Sequence, residues 1–128
     1  MVIVAVYIKW SYKMIKKVNL KEAVDSTVEL FQYLCVGNVN DHILNVLKAK
    51  NRTLDFHIHE NSDELFYVIE GEFKIELDND LIKMEKGDLI IIPKGIRHRP
   101  ICESLVKCLL IELDGTLNKE NTGGMYKK

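Results

Sequence analysis

Residues 57–71 read HIHENSDELFYVIEG, and within them two histidines stand one residue apart, with Glu64 five positions after the second. In an extended strand, residues i and i+2 share a face, so His57 and His59 can converge on one point. A carboxylate arriving from the next turn or strand can join them. Two imidazoles and a carboxylate suit a divalent first-row metal. A second group, Gly87, Pro93, Gly95 and His98, follows downstream. If 88–92 is one strand, 96–99 begins the next and Pro93-Lys94-Gly95-Ile96 is the turn, then His98 points back across the sheet. It completes a set with His57, His59 and Glu64. The absence of a thiolate from this set argues against a purely structural zinc site. Asp55 shares strand parity with both histidines, which makes it a candidate inward acceptor or general base. His42, beside Asn40 and Asp41, reads as a surface turn residue.

These side chains need strands to hold them. From residue 43 onward, short runs rich in Ile, Val, Leu and Phe alternate with Gly, Asn, Asp and Pro. The expected strands are 43–49, 53–59, 65–70, 72–78, 81–84, 88–92, 96–99 and 105–113. Phe73, Ile75 and Leu77 alternate with Lys74, Glu76 and Asp78, giving a core face and a solvent face. Asp78-Asn79-Asp80 reads as a hairpin turn. The apolar run Leu89 to Ile92 reads as a strand covered on both faces. Gly71, Gly87 and Gly95 read as turn glycines, and Pro93 ends a strand. Phe66 and Phe73 read as core or pocket wall. Arg97 and Arg99 flank His98, so alternation sends both away from the metal, toward solvent or a partner such as Glu103. Many short strands with dense turns imply an antiparallel sandwich or barrel, and no helical pattern after residue 35 supports a βαβ arrangement.

Upstream, Val2 to Ile8 is strand-like. Asn19 with Glu22 has the form of a capping box, and apolar residues behind it predict a short helical segment across 20–34. Gly37-Asn38 and Asn40-Asp41 mark turns. The opening MVIVAVYI is too short to span a bilayer, and its lysines follow the apolar run where a secretory leader would place them first. It reads either as an added edge strand or as an extension upstream of a start at Met14. The chain has 128 residues, enough for one core, with 18 basic and 19 acidic side chains. That balance gives no electrostatic reason to expect nucleic acid, and no DNA-binding helix pair is present. Cys35, Cys102 and Cys108 form no CxxC pair and read as free thiols in a reducing compartment. The expectation is a cytoplasmic protein with neither a nucleic-acid nor a membrane partner.

The spacings resemble the two motifs of the cupin superfamily. The first is Gly, five residues, His-x-His, three or four residues, Glu, six residues, Gly. His57, His59, Glu64 and Gly71 fill it, with Asn51 in place of the leading glycine. Asparagine tolerates the left-handed φ that such a turn uses. The second is Gly, five residues, Pro-x-Gly, two residues, His, three residues, Asn. Gly87, Pro93, Gly95 and His98 fill it, with Cys102 at the last position. The stretches DELFYVIEGEFKIEL and GDLIIIPKGIRHRP also look like the small single-domain cupins often labelled mannose-6-phosphate-isomerase-like.

The resemblance implies an all-β fold: a double-stranded β-helix (jelly roll) barrel with a short N-terminal strand and helical segment. The expected division is an N-terminal arm at 1–36, the barrel at 37–117 and a polar tail at 118–128. The resemblance further implies one divalent ion (Fe, Mn, Ni, Zn or Co) on His57, His59, Glu64 and His98, with positions left for water or substrate, and a homodimer. Two functions are compatible with these expectations. One is an isomerase, epimerase or dioxygenase acting on a sugar-like or oxygen-rich small molecule. The other is a non-catalytic module that holds a metal or a small ligand. The scarcity of further polar residues expected to face inward favours binding.

Overall fold

The structure, a computed structural model, describes residues 15–117. The strand expected at Val2–Ile8 and the tail from 118 lie outside the described residues. Asn19 caps a single helical turn and a half, α1 (Leu20–Asp25), its Oδ1 accepting from the Glu22 amide at 2.9 Å. The helix stops well short of 34. Ser26 and Thr27 turn their hydroxyls back onto the carbonyls of Ala23 and Val24, the local bonding by which such residues compete with a helix. The chain then enters a strand, β1 (Leu34–Val39), so Gly37-Asn38 is extended with an irregular register and only Asn40-Asp41 turns.

The remaining strands are β2 (His42–Ala49), β3 (Arg52–Thr53), β4 (Glu64–Leu77), β5 (Leu81–Glu85), β6 (Leu89–Ile92), β7 (His98–Cys102) and β8 (Val106–Leu113). Every pairing is antiparallel. The order is β1-β2-β8-β4-β7-β3, with β5 and β6 also paired to β4. This is a mostly β, jelly-roll type arrangement, but it does not close into the expected barrel, because β1 and β3 end the order without pairing to each other. The physical reason lies in β4. Its first half pairs with β6 and β8, and its second half with β5 and β7, so one 14-residue strand is shared by two layers. The layers face each other across a core and leave their outer edges open.

Gly71 falls within β4 and is not a turn between two strands. Its φ is +86°, and a Cβ there would run into the carbonyl oxygen of Leu105. Only glycine fits that backbone approach. The ladder to β8 is irregular just before it, between Val68 and Glu70, which marks where β4 passes from one layer to the other. Between the layers, Leu47, Leu54, Phe66, Val68, Phe73, Ile75, Val106, Cys108 and Leu110 form the main core. A smaller cluster of Val24, Val46 and Leu109 lies beneath α1. On β6, Leu89 and Ile91 are exposed, so this strand is covered on one face, not two. A four-residue apolar run carries no alternation that would have revealed this. Among the described residues, no helix is long and apolar enough to cross a membrane.

Candidate metal centre

Of the expected strand 53–59, only Thr53 is regular, as the end of β3, and residues 54–61 run as an irregular segment. Backbone contacts to the second motif fix that segment. The His57 and His98 amides each donate to the other's carbonyl at 3.0 Å, forming an isolated bridge. The Gly95 amide donates to the His59 carbonyl at 2.8 Å, and the Lys94 amide to Asp63 Oδ1 at 2.9 Å. The Pro93–Ile96 turn is thus stitched to the loop that carries the two histidines. Gly95 allows the turn through its φ of +84°. Asn51, where a glycine was expected, has a φ of +54°.

This stitching brings His57, His59, Glu64 and His98 together, each offering one donor atom, all within 4.8 Å of one another. All four are buried. The His57 ring centroid lies 4.5 Å from that of His98 and 5.2 Å from that of His59. His57 Nδ1 is 2.7 Å from the Asp55 carbonyl, and His98 Nδ1 is 2.9 Å from the Ile96 carbonyl. A carbonyl only accepts, so each Nδ1 carries a hydrogen and each Nε2 is turned to the cluster. His98 Nε2 lies 3.0 Å from Glu64 Oε1. Burial opposes protonation of His98, but the bonds to Glu64 and to the Ile96 carbonyl outweigh it and raise its pKa. Burial pushes the Glu64 carboxyl up, while His59 and His98 pull it further down, leaving it below its ordinary value. Burial lowers the pKa of His57.

The donor set suits a metal on an observation of its own. His59 Nε2 lies 3.3 Å from Glu64 Oε1 but is not aligned for a hydrogen bond, and both of its ring nitrogens are buried without a hydrogen-bond partner. A buried polar atom left in that state is costly, and a cation satisfies it. Three imidazoles and one carboxylate make a set consistent with a divalent transition metal ion.

Residues 46–113 match the family model described as the cupin domain. The chain belongs to the cupin superfamily. Among its relatives is an uncharacterized Bacillus subtilis protein, YdbB, 36% identical over 87 residues, which are 67% of this chain and 76% of that one. A 48-residue stretch is 44% identical to the acireductone dioxygenase of Tuber melanosporum, covering 34% of this chain and 27% of that enzyme. A cupin-2 domain protein from Shewanella frigidimarina, solved by crystallography, superposes with a TM-score of 0.71 at 25% identity, covering 75% of this chain and 93% of that one.

The other residues singled out in this cupin's sequence lie apart from the four donors. Asp55 is exposed, and it meets His57 through its backbone carbonyl. Phe66 and Phe73 are buried with ring centroids 5.8 Å apart, and Phe66 stands 6.5 Å from the His98 ring. Both line a small apolar cavity of about 40 Å³. Arg97 and Arg99 point away from the cluster. They pair with Asp78 at 2.6 Å and Glu76 at 2.7 Å, and both guanidinium groups lie over the Phe56 ring. Glu103 instead pairs with Lys74. A surface depression of about 630 Å³, lined by Phe56, Ile58, Arg97 and Leu113 among others, reaches His57.

Two polar residues beside the cluster escaped the sequence reading. Glu112 is 1% exposed, and burial, the charge of Glu64 and a hydrogen bond shared with the Glu64 carboxylate drive its carboxyl pKa up to about 9. Tyr33 packs against the main core, and burial followed by the charges of Glu64 and Glu112 pushes its hydroxyl pKa up. The signal for Glu112 was available in the alternation Val106, Cys108, Leu110, Glu112, which sets all four on one face of β8. Tyr33 follows an irregular segment and had no periodicity to place it.

Proposed function

We propose that this cupin is a divalent-metal-dependent enzyme that isomerises, epimerises or oxygenates a small, oxygen-rich substrate. The observation that carries the reading is the buried four-donor cluster with its unpartnered His59 nitrogens, set behind a depression that reaches His57. His57, His59, Glu64 and His98 hold the ion, whether Fe, Mn, Ni, Zn or Co. A bound divalent ion supplies Lewis-acid polarisation of an oxygen ligand, and iron adds redox chemistry. The protein's own part is orientation. The carbonyls of Asp55 and Ile96 fix two imidazoles, and the apolar wall at Phe66 limits water. The sequence shared with a fungal acireductone dioxygenase supports an oxygenation reading over part of the chain.

Metal analysis of protein purified without added metal, followed by loading with each candidate ion and a substrate screen, tests this. His57→Ala and His98→Ala each reduce metal affinity by at least about a hundredfold, since even outer partners of metal ligands cost ten- to a hundredfold. Turnover is lost with the metal while the β circular dichroism persists. A site that takes up none of the five ions ends the proposal. A second reading, a non-catalytic metal- or ligand-binding module, is favoured by the outward placement of the Asp55 carboxylate. Stoichiometric metal without turnover of any oxygen-rich substrate would select it.

The same reading includes a homodimer. The exposed Leu89 and Ile91 on β6, which pairs only with β4 among the described residues, support it, because a partner strand would cover them. Light scattering on chains beginning at Met1 and at Met14 should report dimers. Monomers from both at micromolar concentration would refute the assembly.

A further inference from the structure

The two ends of the strand order, β1 and β3, do not pair with each other, and side chains close the seam that the backbone leaves. Phe31, shortly before β1, packs against the main core, while Val28 and Leu30 of the same loop are exposed. A left-handed backbone turns it inward, with a φ of +60°, an outlier for so bulky a residue. Its amide donates to the Lys48 carbonyl at 2.7 Å, and Lys48 Nζ donates to the Thr27 carbonyl at 2.8 Å, so β2 holds the loop at two points. From the other side of the seam, the Arg52 guanidinium of β3 lies 5.5 Å from the centre of the Phe31 ring.

Phe31 is one wall of the apolar cavity of about 40 Å³, together with Leu47, Ala49, Leu54, Phe66 and Cys102 among others. That space exceeds the roughly 10–15 Å³ a single water occupies, but a water also needs several polar partners, and the lining side chains offer nothing more polar than a thiol. It is far smaller than the roughly 150 Å³ of an engineered apolar cavity that accepts benzene. Size and polarity together select a neutral molecule no larger than a diatomic gas. Such a molecule supplies the dispersion contacts that a void forfeits. We propose that this cavity is a binding site for an apolar diatomic gas, dioxygen foremost, entered past Phe31. Phe66 belongs both to the cavity wall and to the surroundings of His98, so a gas held there is stored beside the metal cluster. The site is built from core side chains and needs no ion, so it stands independently of the metal-centre reading.

Methyl NMR of the whole chain, metal-free and metal-loaded, under xenon and then under dioxygen, tests this. Xenon should give saturable shifts at the methyls of Leu47, Leu54 and Leu110, alike in both forms. Dioxygen, being paramagnetic, should broaden those methyls more than the buried methyls of Val24 and Val46 beneath α1. Ala49→Val and Cys102→Leu each fill the cavity and should abolish the xenon saturation. Phe31→Ala removes a wall and should admit benzene, which the wild type excludes. The site is overturned by shifts that only rise linearly with xenon pressure, by dioxygen broadening no greater than at Val24 and Val46, or by saturation retained in a folded filling variant. Benzene uptake by the wild type overturns it as well. A folded Phe31→Ala that still excludes benzene overturns the entry route. Should neither filling variant fold, the wild-type xenon and dioxygen measurements decide. Ion uptake is scored separately, so a failure here and a failure of the metal reading are distinguishable.

Discussion

At one end of the space between the two layers, Val68, Phe73, Ile75, Val106 and Cys108 meet without a polar side chain among them. At the other end the same strands, β4 and β8, deliver Glu64 and Glu112 against three histidines. Phe66 stands between the two ends, its ring 5.8 Å from Phe73 and 6.5 Å from His98. Both ends are buried, but only the apolar one is complete. Its atoms need nothing but contact, and contact is what folding supplies. The polar end leaves the His59 nitrogens without a hydrogen-bond partner, a cost that a bound cation relieves. One end therefore stabilises the fold, and the other carries the cluster that suits a metal ion.

If the two ends divide labour in this way, they should respond separately to perturbation. The largest effect is expected from Phe73→Ala, which should remove about 3–5 kcal/mol of stability by emptying a packed aromatic site. Chemical denaturation should register that loss in both metal-free and metal-loaded protein, with metal affinity little changed. A collapse of metal affinity in the same variant would mean that the ends form one unit.

A smaller, graded effect should come from pH. A metal competes with protonation of His98, whose pKa is raised, so metal affinity should increase as pH rises, by at most about tenfold per pH unit for one proton. In the metal-free protein His98, Glu64 and His57 bias stability in different directions as pH changes. The His98 contribution, with its raised pKa, is complete below 6.5 and fades as pH rises through the folded value. The contribution of Glu64, with its lowered pKa, is complete above 4.5 and fades as pH falls through the folded value. His57, with its lowered pKa, adds stability above 6.5 that declines in acid. Melting curves against pH, with and without metal, should show this dependence flattened by the ion. Equal pH profiles in the two forms would place the titrating groups elsewhere.

The smallest effect is kinetic. Cys102 and Cys108 belong to the complete end, where burial pushes the Cys102 thiol up to about 11 and the Cys108 thiol higher still. Cys35 is exposed on β1. A thiol reagent should therefore modify one cysteine quickly and the other two only on unfolding. Rapid labelling of Cys102 or Cys108 would show that the apolar end opens.

The sequence by itself determined the four donors, the superfamily and the alternation of β4 and β8, because side-chain parity in a strand is a local property and the motif spacing is written along the chain. Even Glu112 was legible in that parity, though nothing marked it as unusual until its neighbours were known. Other features depended on tertiary contact. Continuation of β4 through Gly71 is set by the approach of Leu105, and the openness of the sheet by how one long strand divides its partners. The exposed face of β6 depends on what does not pack against it, which no run of four apolar residues encodes. The juxtaposition of Glu64, Glu112 and Tyr33 is likewise a matter of which strands lie side by side. Charge becomes costly only where neighbouring layers exclude water, and that exclusion exists only in the assembled fold.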